Sequence, residues 1–374
     1  MKKTLIILTA TMLLMVIFTS ACGGTATAPT EGKGSQAAAE KTEKEEKTQV
    51  AGGGTAINTG SIKPGVDTII IQMGHCNPGT DVDHYTFYCR ALSDYLMTYS
   101  DGKYAIEVMS DSQLGAERDL FEGLTMGTID AALVTNMVVS ASIPEMNIFE
   151  LPFVYDTEEQ AYSLLSNEEF TAPLREKLYD EWNIYCPVFI EGGFRKTVST
   201  KEFTDLSGIS GLKLRVPESK LFLNTFSALG ANPTTMSLTE AVTALQQRVV
   251  DGMEIVIPSI NSIGLYEMAD YVIATDHMYT GCEVCFSRDF WDGLTEEEQA
   301  WFEKAAKNAA VDEVAFVREK NEENIARFKD AGCNYITSDK VDREAMRDAV
   351  QPVLSEYRDL IGGELYDEAM SLIN

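Results

Sequence analysis

Two arginines stand in stretches that are typical of β-strands, and an arginine held on a strand is suited to binding a carboxylate. Residues 211–219 read GLKLRVPES, in which apolar residues alternate with the cations Lys213 and Arg215 before a proline ends the run. The second arginine, Arg195, lies in the sequence GGFRKTVST. A guanidinium is always charged, and its fork binds a carboxylate through two parallel hydrogen bonds. Alternation alone leaves two interpretations of GLKLRVPES open: an edge strand with solvated cations, or a strand that presents a rigid cation to a ligand.

Residue patterns that indicate catalysis or metal binding are few. The three histidines are scattered, and the sequence has neither a phosphate-binding Walker loop nor a nucleophile elbow. Cys282 and Cys285 form a CxxC motif, but a second CxxC is absent, so a zinc site is not expected. We therefore expect neither an enzyme nor a cofactor, although the sequence leaves open a cation that binds together with a ligand.

Composition limits the classes of partner. The chain has 374 residues and a formal net charge of −28, from 30 basic and 58 acidic residues. Such an acidic protein is not attracted to nucleic acid by its overall field, and it must bind any anion through a local cluster of donors. The length is sufficient for two lobes with a large core.

The N-terminus has the features of an export signal followed by a tether. Two lysines precede the apolar run 5–18, and small residues then lead to Cys22. This order predicts a lipoprotein signal peptide over 1–21 and lipidation of Cys22. Residues 22–66 are rich in Gly, Ala, Thr, Lys and Glu, which predicts a flexible linker to a lipid anchor in the membrane. The alternatives are an ordinary signal peptide and a retained transmembrane helix.

Six further cysteines follow Cys22. In an exported protein they can form disulfides, but their spacing does not indicate a particular pairing. We expect structural roles for them.

The first part of the body predicts a parallel α/β sheet. Its elements are a strand at 68–73, a helix at 85–99, a strand at 104–109, a helix at 117–126 and a strand at 129–134. The first strand is continuously apolar, which is typical of a sheet covered on both faces. Ligands of such sheets bind beyond the carboxyl ends of the strands. We therefore regard His75, Asn77, Thr135 and Asn136 as candidate ligand contacts, with a hydrogen-bonded loop histidine as the alternative for His75.

The second part repeats the α/β pattern and ends in a long helix. A helix at 158–180 and a strand at 184–190 are followed by helices at 221–229 and 237–247. Thr295 and Glu298 form a capping box that opens a helix running to about residue 331. At about 1.5 Å per residue it would be roughly 50 Å long, which is enough to cross two lobes. The alternative is two helices with a kink near 311–321.

At this point the sequence resembles a known family. The block GGFRKTVSTKEFTDLSGISGLKLRVPESKLFLNTFSALGANPTTMSLTEAVTALQQRVVDGMEI is similar to the core of the solute-binding subunits of tripartite ATP-independent periplasmic (TRAP) transporters, of the dicarboxylate-receptor type. The segments SQLGAERDLFEGLTMGTIDAALV, ELPFV and FWDGLTEEEQAWFEKAA agree with it. The resemblance extends over about residues 67–330.

The resemblance implies an α/β, two-lobed periplasmic-binding-protein-like fold, with a cleft between the lobes and a long helix spanning both. Lobe I would comprise 67–192 plus about 281–320, and lobe II would comprise 193–280 plus about 321–374. Arg215 matches the family arginine that pairs with a substrate carboxylate, and Arg195 matches a second arginine that often assists it.

Three further residues are candidate contacts for the ligand. The family often has a ligand-binding Asn where this chain has Ile255, so the cleft is expected to be more apolar there or to use another polar group. Glu254 would orient an arginine or serve a structural role near the hinge. Met236 would pack on the carbon skeleton of the ligand or in the core of a lobe, and Glu240 would complete a capping box with Ser237.

These observations predict an extracytoplasmic receptor that captures a small carboxylate and delivers it to the membrane permease subunits of a TRAP transporter. Two alternatives belong to other classes. One is an ABC-type or sensor-linked binding lipoprotein, and the other is an extracytoplasmic enzyme on the same scaffold.

Overall fold

The computed structural model describes residues 64–373, and the predicted signal peptide, Cys22 and most of the linker lie outside this range. The strands are β1 (Ile69–Gly74), β2 (Tyr104–Met109), β3 (Ala131–Thr135), β4 (Ile184–Tyr185), β5 (Phe189–Ser199), β6 (Lys213–Val216), β7 (Asn232–Thr235), β8 (Gly252–Val256), β9 (Tyr271–Ile273), β10 (Tyr279–Ser287) and β11 (Asn334–Ile336).

The helices alternate with these strands and then dominate the C-terminal part. They are α1 (His84–Tyr99), α2 (Glu117–Thr125), α3 (Asn136–Val139), α4 (Glu158–Leu165), α5 (Glu168–Trp182), α6 (Leu206–Ile209), α7 (Lys220–Ala228), α8 (Leu238–Gln246), α9 (Ile257–Ile263), α10 (Arg288–Asp292), α11 (Glu296–Asp330), α12 (Arg343–Ala349), α13 (Gln351–Ile361) and α14 (Gly363–Ile373). Short 3₁₀ helices lie at Pro144–Glu150, Leu265–Glu267 and Ser338–Lys340.

One continuous sheet connects two α/β halves. Its main path is β2-β1-β3-β10-β5-β8-β6-β7, while β4 pairs with β10, β9 pairs with β5, and β11 pairs with β9. Strand β1 is parallel to β2 and β3, and β6 is parallel to β7 and β8. The long strands β5 and β10 are antiparallel and join the halves. The two-lobed α/β fold class is confirmed, while the lobe boundaries stay a prediction.

Apolar clusters cover both faces of the central strands. Alternate residues of β3 and β10 enter different clusters, so that Leu133 and Val284 pack on one face while Val134 and Cys285 pack on the other. Helices α1 and α11 contribute to the first of these clusters. The prediction that β1 is covered on both faces is wrong for its start, where Ile69 and Ile70 are 46% and 47% exposed. Strand β3 pairs only with Met73 and Gly74, so the first residues of β1 lie at the rim of the sheet.

Helix α11 is a single helix of 35 residues, as the sequence predicted, and the kinked alternative is wrong. It packs on α1 in the first half and on α9 in the second, so it spans both. Thr295 and Glu298 form the expected capping box at its start, with Thr295 accepting from the Glu298 N–H. Ser237 and Glu240 cap α8 in the same way, which confirms the prediction for Glu240.

Two predicted elements are divided in the structure. The helix predicted at 158–180 is two helices, because Asn167 accepts a hydrogen bond from the Phe170 N–H and caps the start of α5. The strand predicted at 184–190 is interrupted between β4 and β5, where Pro187 cannot donate to the ladder.

The six described cysteines are free thiols. Cys282 and Cys285 belong to apolar clusters on opposite faces of β10 and therefore cannot bind one metal ion together. Among residues 64–373, no group of three or more His, Cys, Asp or Glu side chains is arranged to hold a metal ion. None of the helices in this range is long and apolar enough to span a bilayer.

Candidate functional site

Arg215 lies in the interior of the sheet. Strand β6 is flanked by β8 and β7, so the interpretation of GLKLRVPES as an edge strand is wrong. The side chain is 4% exposed, and its Nε donates to the Met236 carbonyl at 2.9 Å. Burial lowers the pKa of Arg215 to about 10, so the guanidinium is still charged at neutral pH. Within the described residues this is its only hydrogen bond, and it has no ion-pair partner there, so both Nη groups are available for a ligand.

Arg195, by contrast, directs most of its donors to protein groups, and ligand contact by Arg195 stays a prediction. Its Nε and Nη2 donate to the two carboxylate oxygens of Glu254, and Nη1 donates to the Thr280 hydroxyl at 2.8 Å. Burial disfavours the charged form, but Glu254 outweighs it and raises the pKa of Arg195. Glu254 also contacts His277 Nε2 at 3.3 Å. The structure thus brings Arg195 and Glu254 together, and it favours the orienting role that we considered for Glu254.

A small cavity lies where strand ends from both halves meet. It is lined by Cys76, Ser112, Ala116, Glu117, Arg118, Val138, Arg215, Pro217, Glu218, Met236, Ser237, Leu238 and Thr239. Apart from Arg215, which lies within β6, these residues follow the carboxyl ends of β1, β2, β3, β6 and β7, the expected position of a ligand site in such sheets. We call this cavity the cleft cavity.

The cleft cavity is nearly closed. Its volume is about 30 Å³, whereas pockets for small molecules are typically about 300–1,000 Å³. Arg215 and Met236, two of the predicted ligand contacts, line it. A ligand of several carbons therefore fits there only if the residues that line the cavity move.

The four candidates from the first half do not line the cleft cavity. His75 is buried beside the Thr86 hydroxyl, 3.3 Å from its Nε2, and burial lowers the pKa of His75 to about 4. Asn77 Nδ2 donates to Asp83 at 2.8 Å and to the Ser259 hydroxyl at 3.1 Å. Neither side chain lines the cleft cavity, so ligand contact by either stays a prediction for a more open form.

Thr135 ends β3 and Asn136 begins α3, and their side chains have different hydrogen-bond partners. The Thr135 hydroxyl donates to Glu117 Oε2 at 2.9 Å. Glu117 lines the cleft cavity, so Thr135 contacts a residue of its lining but does not line it itself. Asn136 Nδ2 donates to the Met146 carbonyl at 2.9 Å. Direct ligand contact by these two residues also stays a prediction.

Ile255 lies on the face of β8 opposite Arg195 and on the same face as Met253, the register partner of Arg215. It is the register partner of Lys196, whereas Glu254 is the partner of Thr197, so Ile255 and Glu254 point to opposite faces of β8. Ile255 packs in an apolar cluster with Val198 and Met253. The structure does not bring Ile255 to the cleft cavity, and a role for it in ligand binding stays a prediction.

Glu117 is the main cleft residue that sequence reasoning missed. It is the first residue of α2, is half-buried, and shares the cleft cavity with Arg215. Burial raises the pKa of Glu117, and this effect is opposed by the hydrogen bond from Thr135 and by the charge of Arg215. Its position directly after a strand-end loop, in SQLGAER, was the available signal.

Comparison with known proteins places this geometry in a family. Residues 73–359 match the model described as bacterial extracellular solute-binding protein, family 7. The chain is 28% identical over 273 residues to the sialic acid-binding periplasmic protein SiaP of Vibrio cholerae, covering 73% of this chain and 84% of that protein. It is 27% identical over 270 residues to the C4-dicarboxylate-binding periplasmic protein DctP of Rhodobacter capsulatus, covering 71% and 80%.

A solved structure shows the same fold. A TRAP periplasmic solute-binding protein from Polaromonas sp. JS666, bound to D-erythronate, superposes with a TM-score of 0.77 at 27% identity. The match covers 81% of this chain and 98% of that one.

Proposed function

Since the chain belongs to family 7 of the bacterial extracellular solute-binding proteins, the TRAP solute receptors, we propose that its cleft captures a small carboxylate through Arg215. The ligand then passes to the membrane permease subunits of a TRAP transporter. The observation that carries this proposal is that Arg215 is buried at the cleft cavity without an ion-pair partner within residues 64–373. It is a buried guanidinium on a rigid strand, it faces the cleft cavity, and no protein carboxylate pairs with it in the described residues.

The physical argument rests on the cost of burying a charge. Arg215 has lost most of its hydration, and burial already lowers its pKa. A carboxylate that enters the cleft supplies two charge-assisted hydrogen bonds to the unoccupied Nη groups. Because β6 is held on both sides by neighbouring strands, little side-chain or backbone freedom remains to be lost on binding.

The names of the relatives support a ligand that carries a carboxylate, but they do not indicate which ligand it is. Sialic acid, a C4-dicarboxylate and D-erythronate all carry at least one carboxylate. They differ in size, in the number of carboxylates and in the number of hydroxyls.

Ligand-induced thermal stabilisation of the full chain tests the proposal. A panel of sugar acids, hydroxy acids, keto acids and dicarboxylates should contain compounds that raise the melting temperature, because a ligand stabilises by about 2.7 kcal/mol at 100 times its Kd. Neutral sugars and amines of equal size should have no effect. A chain that responds to none of the acids would overturn the proposal.

We propose that this receptor has no catalytic activity. The support is that its family and its structural relatives are solute-binding proteins. A bound acid should be recovered unchanged after prolonged incubation. Formation of more than one mole of product per mole of protein would contradict this.

We also propose that the exported chain is anchored through a lipid on Cys22, on the extracytoplasmic side of the membrane. The support is the order of lysines, apolar run, small residues and cysteine at the N-terminus. Cells fed a labelled fatty acid should label the wild-type protein and not Cys22→Ala. The variant should also leave the membrane fraction, and equal labelling of both proteins would overturn the anchor.

A further inference from the structure

Cys186 and Cys285 face each other across two antiparallel strands. Strand β4 pairs with β10 so that Tyr185 lies opposite Phe286. Continuing this register by one position places Cys186 opposite Cys285. Both side chains belong to the same apolar cluster, at 2% and 0% exposure. The two thiols therefore share one face of the sheet.

The hydrogen-bond pattern places this pair where the strands approach most closely. Arg288 donates its backbone N–H to the Asn183 carbonyl at 2.7 Å, whereas the Ser287 N–H bonds away from β4. Bonded and non-bonded pairs alternate along an antiparallel ladder, so Cys186 and Cys285 occupy a non-bonded position. Cα atoms at such positions are about 4.5 Å apart, within the range of roughly 4.4–6.8 Å that a disulfide spans.

The two side chains also interact as thiols. Burial raises the pKa of the Cys285 thiol, and a hydrogen bond with Cys186 adds to this effect. Cys282, on the same strand, packs in the apolar cluster on the opposite face of β10. Cys186 rather than Cys282 is therefore the cysteine next to Cys285.

From this geometry we propose that Cys186 and Cys285 form a cross-strand disulfide in the exported protein. The family is extracellular, and disulfides form and persist in extracytoplasmic compartments. Both residues are free thiols in the structure, so the bond requires an oxidant.

The oxidant is an external disulfide, carried by a dithiol oxidoreductase or by a small molecule such as oxidised glutathione. Cys186 lines a surface cavity of about 300 Å³, whereas Cys285 is fully enclosed. The Cys186 thiolate therefore attacks the external disulfide first and releases one carrier thiol. The Cys285 thiolate then attacks the Cys186 sulfur, which closes the bond and releases the second carrier thiol. The two protons and two electrons of the cysteines thus reduce the external disulfide to two thiols.

The bond would fasten β4 to β10 and close a long loop. About 100 residues lie between the two cysteines, and they include β5 to β9. Closing a loop restricts the unfolded chain, and the restriction increases with loop length. We expect the oxidised protein to melt about 5 °C or more above the reduced protein.

Peptide mapping of the full chain, isolated after export and denatured in the presence of N-ethylmaleimide, tests the bond. Cleavage after Lys, Arg and Glu residues separates Cys285 from Cys282, because Glu283 lies between them. The peptide 182–191 should be linked to the peptide 284–288, and dithiothreitol should release both. If Cys186 and Cys285 both carry the maleimide, the pair only fills the core and the proposal is wrong. A link from either residue to a third cysteine would also overturn it.

Variants test the effect of the bond on stability. Reduction should lower the melting temperature of the wild type, but not that of the double variant Cys186→Ala with Cys285→Ala. Cys333→Ala is the matched control, because Cys333 is also buried but packs in a different apolar cluster. It should keep the linked peptides and respond to reduction as the wild type does.

A wild-type protein whose melting temperature is the same with and without dithiothreitol would contradict the proposed constraint. A double variant that responds to reduction as strongly as the wild type would contradict it as well. None of these measurements involves a ligand, so the outcome does not depend on the proposed function.

Discussion

Arg195 and Glu254 form a buried bidentate ion pair between two neighbouring antiparallel strands. Arg195 Nη2 lies 3.1 Å from Glu254 Oε1, and Nε donates to the other carboxylate oxygen. Both side chains are almost completely buried, at 3% and 0% exposure. This pair neutralises the charge of Arg195, whereas Arg215 has no ion-pair partner in the part of the chain that the structure describes and is available to a ligand carboxylate.

We predict that Arg195→Ala destabilises the ligand-free protein by about 3–5 kcal/mol, because it leaves the Glu254 carboxylate buried without its partner. Chemical denaturation followed by circular dichroism measures this change. The double variant Arg195→Met with Glu254→Gln should recover a large part of the loss. A single variant as stable as the wild type would contradict the structural role that we assign to Arg195.

Glu150 should make the protein less stable as the pH rises. Burial raises the pKa of this carboxyl to about 8 from its ordinary value near 4.5, with the charge of Arg195 opposing the shift. The folded state therefore holds the proton more tightly, so this stabilisation is complete below about pH 4.5 and is lost as the pH approaches 8. Glu150→Gln should flatten the decline in the free energy of unfolding. A variant with the same slope as the wild type would rule out this contribution.

His75 should make the protein less stable as the pH falls. Burial lowers the pKa of His75 to about 4 from 6.5, so the folded state favours the neutral ring. The unfolded chain binds the proton more readily, and stability is lost as the pH falls from 6.5 to 4. The contribution is about 3 kcal/mol. His75→Gln should lose less stability over this interval in ligand-free protein, and an unchanged pH dependence would show that His75 does not contribute.

Local patterns in the sequence predicted those parts of the site that depend on one segment. Alternation in GLKLRVPES predicted β6 with Arg215 on it, and the Thr295 capping box predicted the start of α11. Both signals arise from neighbours within a few residues. The break at Asn167 was missed, because the side-chain cap that starts α5 there competes with an otherwise helical pattern.

Contacts between distant segments could not be read from the sequence. Arg195 and Glu254 are separated by 59 positions, and their pairing depends on the register of β5 against β8. The same register places Ile255 on the face of β8 opposite Arg195 and Glu254. Glu117 was missed for a similar reason, since its importance depends on a cavity formed by strand ends from both halves of the sheet.

The most direct test of the account is the affinity of Arg215→Ala for whichever carboxylate stabilises the wild-type protein most. Binding should weaken on the order of 100-fold or more, since the ligand carboxylate would lose its charged partner in a desolvated cleft. The ligand-free melting temperature should be nearly unchanged, because Arg215 has no protein ion pair to lose within residues 64–373.

Lys213→Ala is the matched control, because Lys213 lies on the same strand with its side chain exposed and outside the cleft cavity. It should bind the acid as the wild type does. If isothermal titration shows that Arg215→Ala binds as tightly as the wild type, Arg215 is not the carboxylate anchor and the central claim is wrong.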